Sequence, residues 1–137
     1  MPFDDQEVRL AIQRLARRIR SMQGDERVTE GQRSVLFALS NEGAQTLGSL
    51  SEHERVTPPS MNRTINALVE AGLVTRVSAT DDARKVIIDL SDAGRTFIRD
   101  TKRKREAWFT KRLAALTPAE RAIIGEAAPL LRKIADS

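Results

Sequence analysis

The chain has 137 residues, a formal net charge of +4, 40% hydrophobic residues, no cysteine and a single histidine, His53. That length suits one domain, or one compact domain with helical extensions; the absence of cysteine excludes a disulfide framework, a thiolate metal site and a redox thiol, and one imidazole leaves little for a metal cluster or a His-based triad. No run approaches a membrane span and the N-terminus MPFDDQEV is acidic, so a soluble cytoplasmic protein with no membrane partner, metal or cofactor is expected.

In chain order, Asp4 or Asp5 can cap a first helix with Val8, Ile12, Leu15, Ile19 and Met22 on one stripe. Arg9, Arg14, Arg17, Arg18 and Arg20 cover the rest, and Gly24-Asp25 ends it. Thr29 followed by Gln32 is a capping-box pattern. It opens a second helix with Val35, Leu36 and Leu39 inward and Asn41-Glu42-Gly43 as its stop. Thr46 starts a short helix carrying Leu47 and Leu50, which runs to about Arg55.

The stretch TPPSMNRTINALVEAGL, residues 57–73, is the one the rest is organised around. Thr57 is an N-cap, Pro58 fits the first helical position, and Pro59 lies in the first turn, where donors have no intrahelical acceptor. Met61, Ile65, Leu68, Val69 and Leu73 form an apolar face and Gly72 the stop. Ser60, Asn62, Arg63 and Asn66 form the opposite face, short and hydrogen-bonding with one fork-shaped cation. Such a face suits a major groove: Arg can read guanine, Asn can read adenine, and Ser or the helix N-terminus can hold phosphate. Two short helices this close, the second with a polar leading end, make a helix-turn-helix pattern.

Beyond Gly72 the period shifts to that of strands. Residues 73–77 and 86–90 are β-branched and roughly alternating, and the polar segment 78–85 joins them, which predicts a β-hairpin wing. Ser91 caps a long helix with Phe97, Ile98, Thr101, Arg105, Trp108, Phe109, Leu113 and Leu116 on one side. Thr117-Pro118-Ala119-Glu120 is a second capping box, opening a last helix with Ile123, Ile124, Ala127, Leu130, Leu131 and Ile134 apolar. Pro129 is expected to bend it, because proline removes a backbone bond.

Charge is distributed unevenly over this plan. Residues 1–45 hold seven basic and seven acidic groups, residues 46–90 five and six, and residues 91–137 eleven and six. Binding to DNA must therefore rest on the placement of a few groups rather than on bulk charge. Lys102–Arg105 is read as a solvated helix face, His53 as a surface residue, and Asp81-Asp82 as an exposed loop with no nucleophile or base beside it; no enzyme is expected.

The whole order of elements is similar to the MarR family of bacterial winged-helix regulators. The resemblance is carried by Glu70-Ala71-Gly72-Leu73-Val74, then Asp82-Ala83-Arg84, then Leu90-Ser91-Asp92-Ala93-Gly94, which resemble the family's E-x-G-L-[VI], D-x-R and L-[TS]-x-x-G patterns at matching spacing. Two departures stand out: Arg55 where the helix-turn-helix turn often has glycine, and Ser51 and Glu54 where alanine and leucine are common. A non-glycine at that turn is expected to alter its geometry.

The resemblance implies a mainly α fold with a small β-hairpin wing (α+β). A winged helix-turn-helix lobe would span 28–90, and a helical dimerisation region would combine 1–27 with 91–137. It implies a homodimeric repressor on a pseudo-palindromic double-stranded operator, released by a small aromatic or phenolic ligand. DNA contacts would come from Thr57, Pro58, Pro59, Ser60, Asn62, Arg63 and Asn66. The wing would add Arg84, held by Asp82 and aimed at the minor groove, and Lys85 on a phosphate. Ile12, Phe97, Trp108, Phe109, Leu113, Ile123, Leu130 and Leu131 would form the dimer contact. The competing expectation, kept open by the near-neutral middle third, is a winged-helix module that binds protein and not specific DNA.

Overall fold

The computed structural model of the protein describes residues 2–22, 28–78 and 85–137. The elements run α1 (Asp5–Ser21), α2 (Glu30–Glu42), β1 (Gln45–Thr46), α3 (Leu47–Glu54), α4 (Pro58–Glu70), β2 (Val74–Ser78), β3 (Val86–Leu90), α5 (Asp92–Ala114) and α6 (Pro118–Ala135). They form two compact units: Met1–Met22 with Lys104–Ser137, and Gln23–Arg103. The division falls inside α5, so the first turns of that helix belong with the winged lobe and not with the terminal helices.

Local chemistry sets the helix starts. Asp4 Oδ1 accepts from the Glu7 N–H at 3.1 Å, Thr46 Oγ1 from Ser49 at 3.1 Å, and Thr57 Oγ1 from Ser60 at 3.2 Å. Thr29 with Gln32 and Thr117 with Glu120 both close full capping boxes. Each such cap contributes on the order of 1 kcal/mol, because it satisfies a donor the helix cannot reach itself. The Gly24-Asp25 stop expected after α1 lies outside the described residues. α6 runs on as helix through Pro129.

The core of the second unit lies among α2, α3, α4, the sheet and the start of α5. Leu36, Leu50, Ile65 and Ile88 are fully buried there, with Leu39, Met61, Leu68, Leu73 and Val74 around them. Val69, expected on the inward face of α4, sits at the rim with 39% of its surface exposed. Phe97, expected in a dimer contact, is packed into this core together with Ile98. That assignment is corrected: three turns of α5 separate Phe97 from Trp108, and the two rings serve different units.

The hairpin is as read from the alternation, with Val74 opposite Leu90 and Ser78 opposite Val86, antiparallel. The sheet nevertheless has three strands in the order β1-β3-β2. β1 places Gln45 opposite Ile88 and Thr46 opposite Ile87, covering the second edge of β3. Two residues carry no period, so nothing in the sequence pattern announces this strand.

In the first unit, no residue of α1 or α6 is buried. Trp108 is half-buried, with the guanidinium of Arg18 5.4 Å and that of Arg112 5.5 Å from its ring centre, both within cation–π range. Arg105 Nη2 donates to the Arg20 carbonyl at 3.4 Å, so this member of the basic cluster is turned toward α1 while Lys102, Arg103 and Lys104 are exposed.

Candidate nucleic-acid interface

The two short helices α3 and α4 end in the same hydrogen-bonded device. At the end of α3 the Arg55 N–H donates to the Glu52 carbonyl at 3.2 Å and the Val56 N–H to Ser51 at 3.0 Å. At the end of α4 the Gly72 N–H donates to Val69 and the Leu73 N–H to Leu68, both at 3.0 Å. This pair of bonds is the Schellman motif, and it needs a left-handed residue. Gly72 takes it at φ 78° without cost, and Arg55 takes it at φ 57°, ψ 44°. The expected change of turn geometry at Arg55 therefore does not occur; the glycine-type turn is kept, at a cost of roughly 1–2 kcal/mol for a side chain in that region. Ser51, the other departure, is buried with its hydroxyl donated to the Leu47 carbonyl at 2.9 Å, which satisfies it.

The turn aims α4. Its buried face is Met61, Ile65 and Leu68. Its other face carries Arg63 and Asn66 exposed, with Ser60 and Asn62 partly exposed. Arg63 has no hydrogen bond or ion pair among the described residues, so all five of its donors are available to a ligand. Asp82 and Arg84 lie outside the described residues, and Lys85 is exposed just before β3.

The start of α4 is poor in backbone donors. Pro58 and Pro59 have no N–H, the Ser60 N–H goes to Thr57 Oγ1, and the Met61 N–H goes to the Thr57 carbonyl at 2.9 Å. From Pro58 to Met61 the helix therefore offers no free backbone donor of the kind that usually holds an anion at a helix start.

A hollow of about 460 Å³ lies beside α4, lined by Thr46, Leu47, Gly48, Asn62, Arg76, Lys85, Val86 and Ile88. The N–H groups of Leu47 and Gly48 belong to the first turn of α3 and have no intrahelical acceptor. With Arg76 and Lys85 they give this hollow a positive lining.

Arg76 is the residue against the polar face of α4 that pattern reading misses. From β2, its Nη2 donates to Asn62 Oδ1 at 2.9 Å and to Asn66 Oδ1 at 2.6 Å. The two asparagines stand one helical turn apart on α4, so one guanidinium nitrogen bridges them. The available signal was the strand period, which puts Arg76 on the same side as buried Val74, the side that packs toward α4.

Residues 28–86 match the model of the MarR family. An HTH-type transcriptional regulator of Mycobacterium tuberculosis is 39% identical over 127 residues, covering 93% of this chain and 89% of the relative. The chain belongs to the MarR family. Among solved structures, a putative transcriptional regulator of Pseudomonas aeruginosa superposes with a TM-score of 0.81 at 30% identity, over 98% of this chain and 99% of that one. FabT of Streptococcus pneumoniae, solved in complex with DNA, shares the fold with a TM-score of 0.72 at 19% identity, over 97% and 98% of the two chains. This MarR-family chain is thus a transcriptional regulator and not an enzyme. Among its described residues no group of three or more His, Asp or Glu could hold a metal ion, and no helix is long and apolar enough to cross a membrane.

Proposed function

We propose that this MarR-family regulator is a homodimeric repressor whose α4 enters the major groove of a pseudo-palindromic operator. The observation that carries the reading is Arg63, exposed and uncommitted on the face of α4 turned away from the core, beside Ser60, Asn62 and Asn66. A free guanidinium there can read guanine O6 and N7 as a fork. Lys85 and the positive hollow next to it would hold the flanking phosphates, and Arg84, steadied by Asp82, would reach the minor groove. The likeness in fold to FabT, whose structure includes DNA, supports the docking.

The dimer reading is supported by α1 and α6. Val8, Ile12 and Leu15 on the first, and Ile123, Leu130 and Ile134 on the last, are exposed large apolar residues. Ile123, Leu130 and Ile134 are each more than 60% exposed, which is costly for apolar side chains left in water and points to a second copy as cover. Trp108, Phe109, Leu113 and Leu131 would complete that contact. A C2 dimer then sets two α4 helices about 34–36 Å apart, one turn of duplex. Release by a small aromatic or phenolic acid rests on the family resemblance, and requires the acid to bind DNA-competent and incompetent states unequally.

The test is fluorescence anisotropy with the chain's own upstream DNA against random duplex, at several salt concentrations. The expected result is a preference for the upstream site and an affinity that falls steeply with salt. Equal binding to both duplexes would favour a protein-interaction module instead.

A further inference from the structure

The reading of α4 as a base-reading helix leaves open what its two asparagines present to the groove. The bond to Arg76 decides that. A guanidinium has donors and no acceptor, so an asparagine that meets it must turn its carbonyl oxygen toward it and its NH2 away. Nη2 carries two hydrogens, and both are used, one on Asn62 Oδ1 at 2.9 Å and one on Asn66 Oδ1 at 2.6 Å. Both bonds are charge-assisted, the stronger class.

We propose that Arg76 is a specificity-determining positioning residue: by taking the carbonyl oxygens of Asn62 and Asn66, it makes α4 offer two NH2 donors to DNA. The inference rests on the DNA-reading role of α4. Its consequence is chemical. The adenine contact of asparagine is bidentate, with the carbonyl oxygen accepting from N6 and the NH2 donating to N7. Each oxygen has a second lone pair, but an adenine N6 donor using it would have to share that oxygen with a fixed cation. The clamped amides instead suit acceptor edges, guanine O6 and N7 or thymine O4. Arg63, one position from Asn62 and without a partner among the described residues, also favours acceptors. The Asn62, Arg63 and Asn66 positions of α4 thereby become uniformly donating, which an unclamped Asn-Arg-Asn set would not be.

The experiment selects preferred sites from a randomised duplex library with wild type, Arg76→Met and Arg76→Lys. Methionine keeps length and removes every donor; lysine keeps a cation whose three hydrogens can bridge the same two oxygens. Wild type and Arg76→Lys should select guanine or thymine opposite the asparagines. Arg76→Met should gain adenine at one or two positions per half-site, by roughly ten-fold. In parallel, the side-chain NH2 resonances of Asn62 and Asn66 are followed in the DNA-free protein; they should move in Arg76→Met and stay near their wild-type positions in Arg76→Lys. Adenine already selected by wild type at these positions overturns the proposal. So does a base profile unchanged in Arg76→Met while affinity falls evenly on all sites, since that is the mark of a scaffold residue. If wild type shows no sequence preference at all, it is the base-reading role of α4 that fails, and the DNA-free resonances separately report whether the clamp exists.

Discussion

Gly94, in the first turn of α5, lies against the Leu73 carbonyl that ends the α4–β2 connection. A Cβ built on Gly94 would collide with that oxygen and come within 3.2 Å of Leu90 Cδ2. The approach is held by Ser91, whose N–H donates to the same Leu73 carbonyl at 3.0 Å and whose hydroxyl donates to the Gly72 carbonyl while accepting from the Gly94 N–H. The motifs around Gly72 and Gly94 are therefore two sides of one joint.

Gly94→Ala should destabilise the protein by roughly 1–3 kcal/mol, the usual cost of overpacking, because the obstructing atom is backbone and cannot rotate away. Gly31→Ala is the contrast, since a Cβ there meets nothing within 4 Å and alanine is the better helix former. Urea denaturation of both variants checks the opposite signs. Equal stability of Gly94→Ala and wild type would remove the joint.

Arg55 holds a left-handed turn that glycine would hold at no steric cost. Arg55→Gly should gain up to about 1 kcal/mol, the relieved strain being offset in part by a freer unfolded chain. Arg55→Val should lose more than that, since a β-branched side chain is worst in this region. Midpoints of chemical denaturation decide it; a valine variant as stable as the parent would contradict the turn geometry.

Ile123→Asp and Leu130→Asp place charges on two highly exposed positions of the α6 apolar face, at 65% and 63% exposure. If a second copy covers this face, sedimentation at micromolar concentration should show wild type as a dimer and both variants shifted toward monomer. The fold of a single chain should survive, since neither side chain is buried within it. A wild type that sediments as a folded monomer would sink the dimer.

Arg63→Ala and Lys85→Ala should fail differently. Loss of a base-reading fork should cost on the order of 1–3 kcal/mol on the preferred site and relax one position of each half-site. Loss of a phosphate contact should weaken all duplexes alike and lower the salt slope by about one per contact. Anisotropy titrations over a salt series separate the two patterns, and two identical patterns would refute the division of labour.

The starts and stops of nearly every helix, the hairpin and the polar face of α4 were legible in the sequence, because caps, glycine stops and apolar periods act over three or four residues. Thr29 with Gln32, Thr57 with Ser60 and Thr117 with Glu120 are contacts of that range. Pairing across the fold was not legible. Gln45 and Thr46 become a strand only because β3 offers an edge more than forty residues later. Phe97 and Trp108 share one helix and one periodic stripe, yet the first is spent in the lobe's core and the second lies under arginines of the other unit. The donor-poor start of α4 was spelled out by Pro58, Pro59 and the Thr57 cap, but what its asparagines present was not. That depends on Arg76, fourteen and ten residues away, and on a strand register that brings one nitrogen between two carbonyl oxygens. Local sequence sets which groups a helix carries; only the tertiary structure sets which of their atoms remain free, because a hydrogen bond consumed inside the protein is no longer available to a partner.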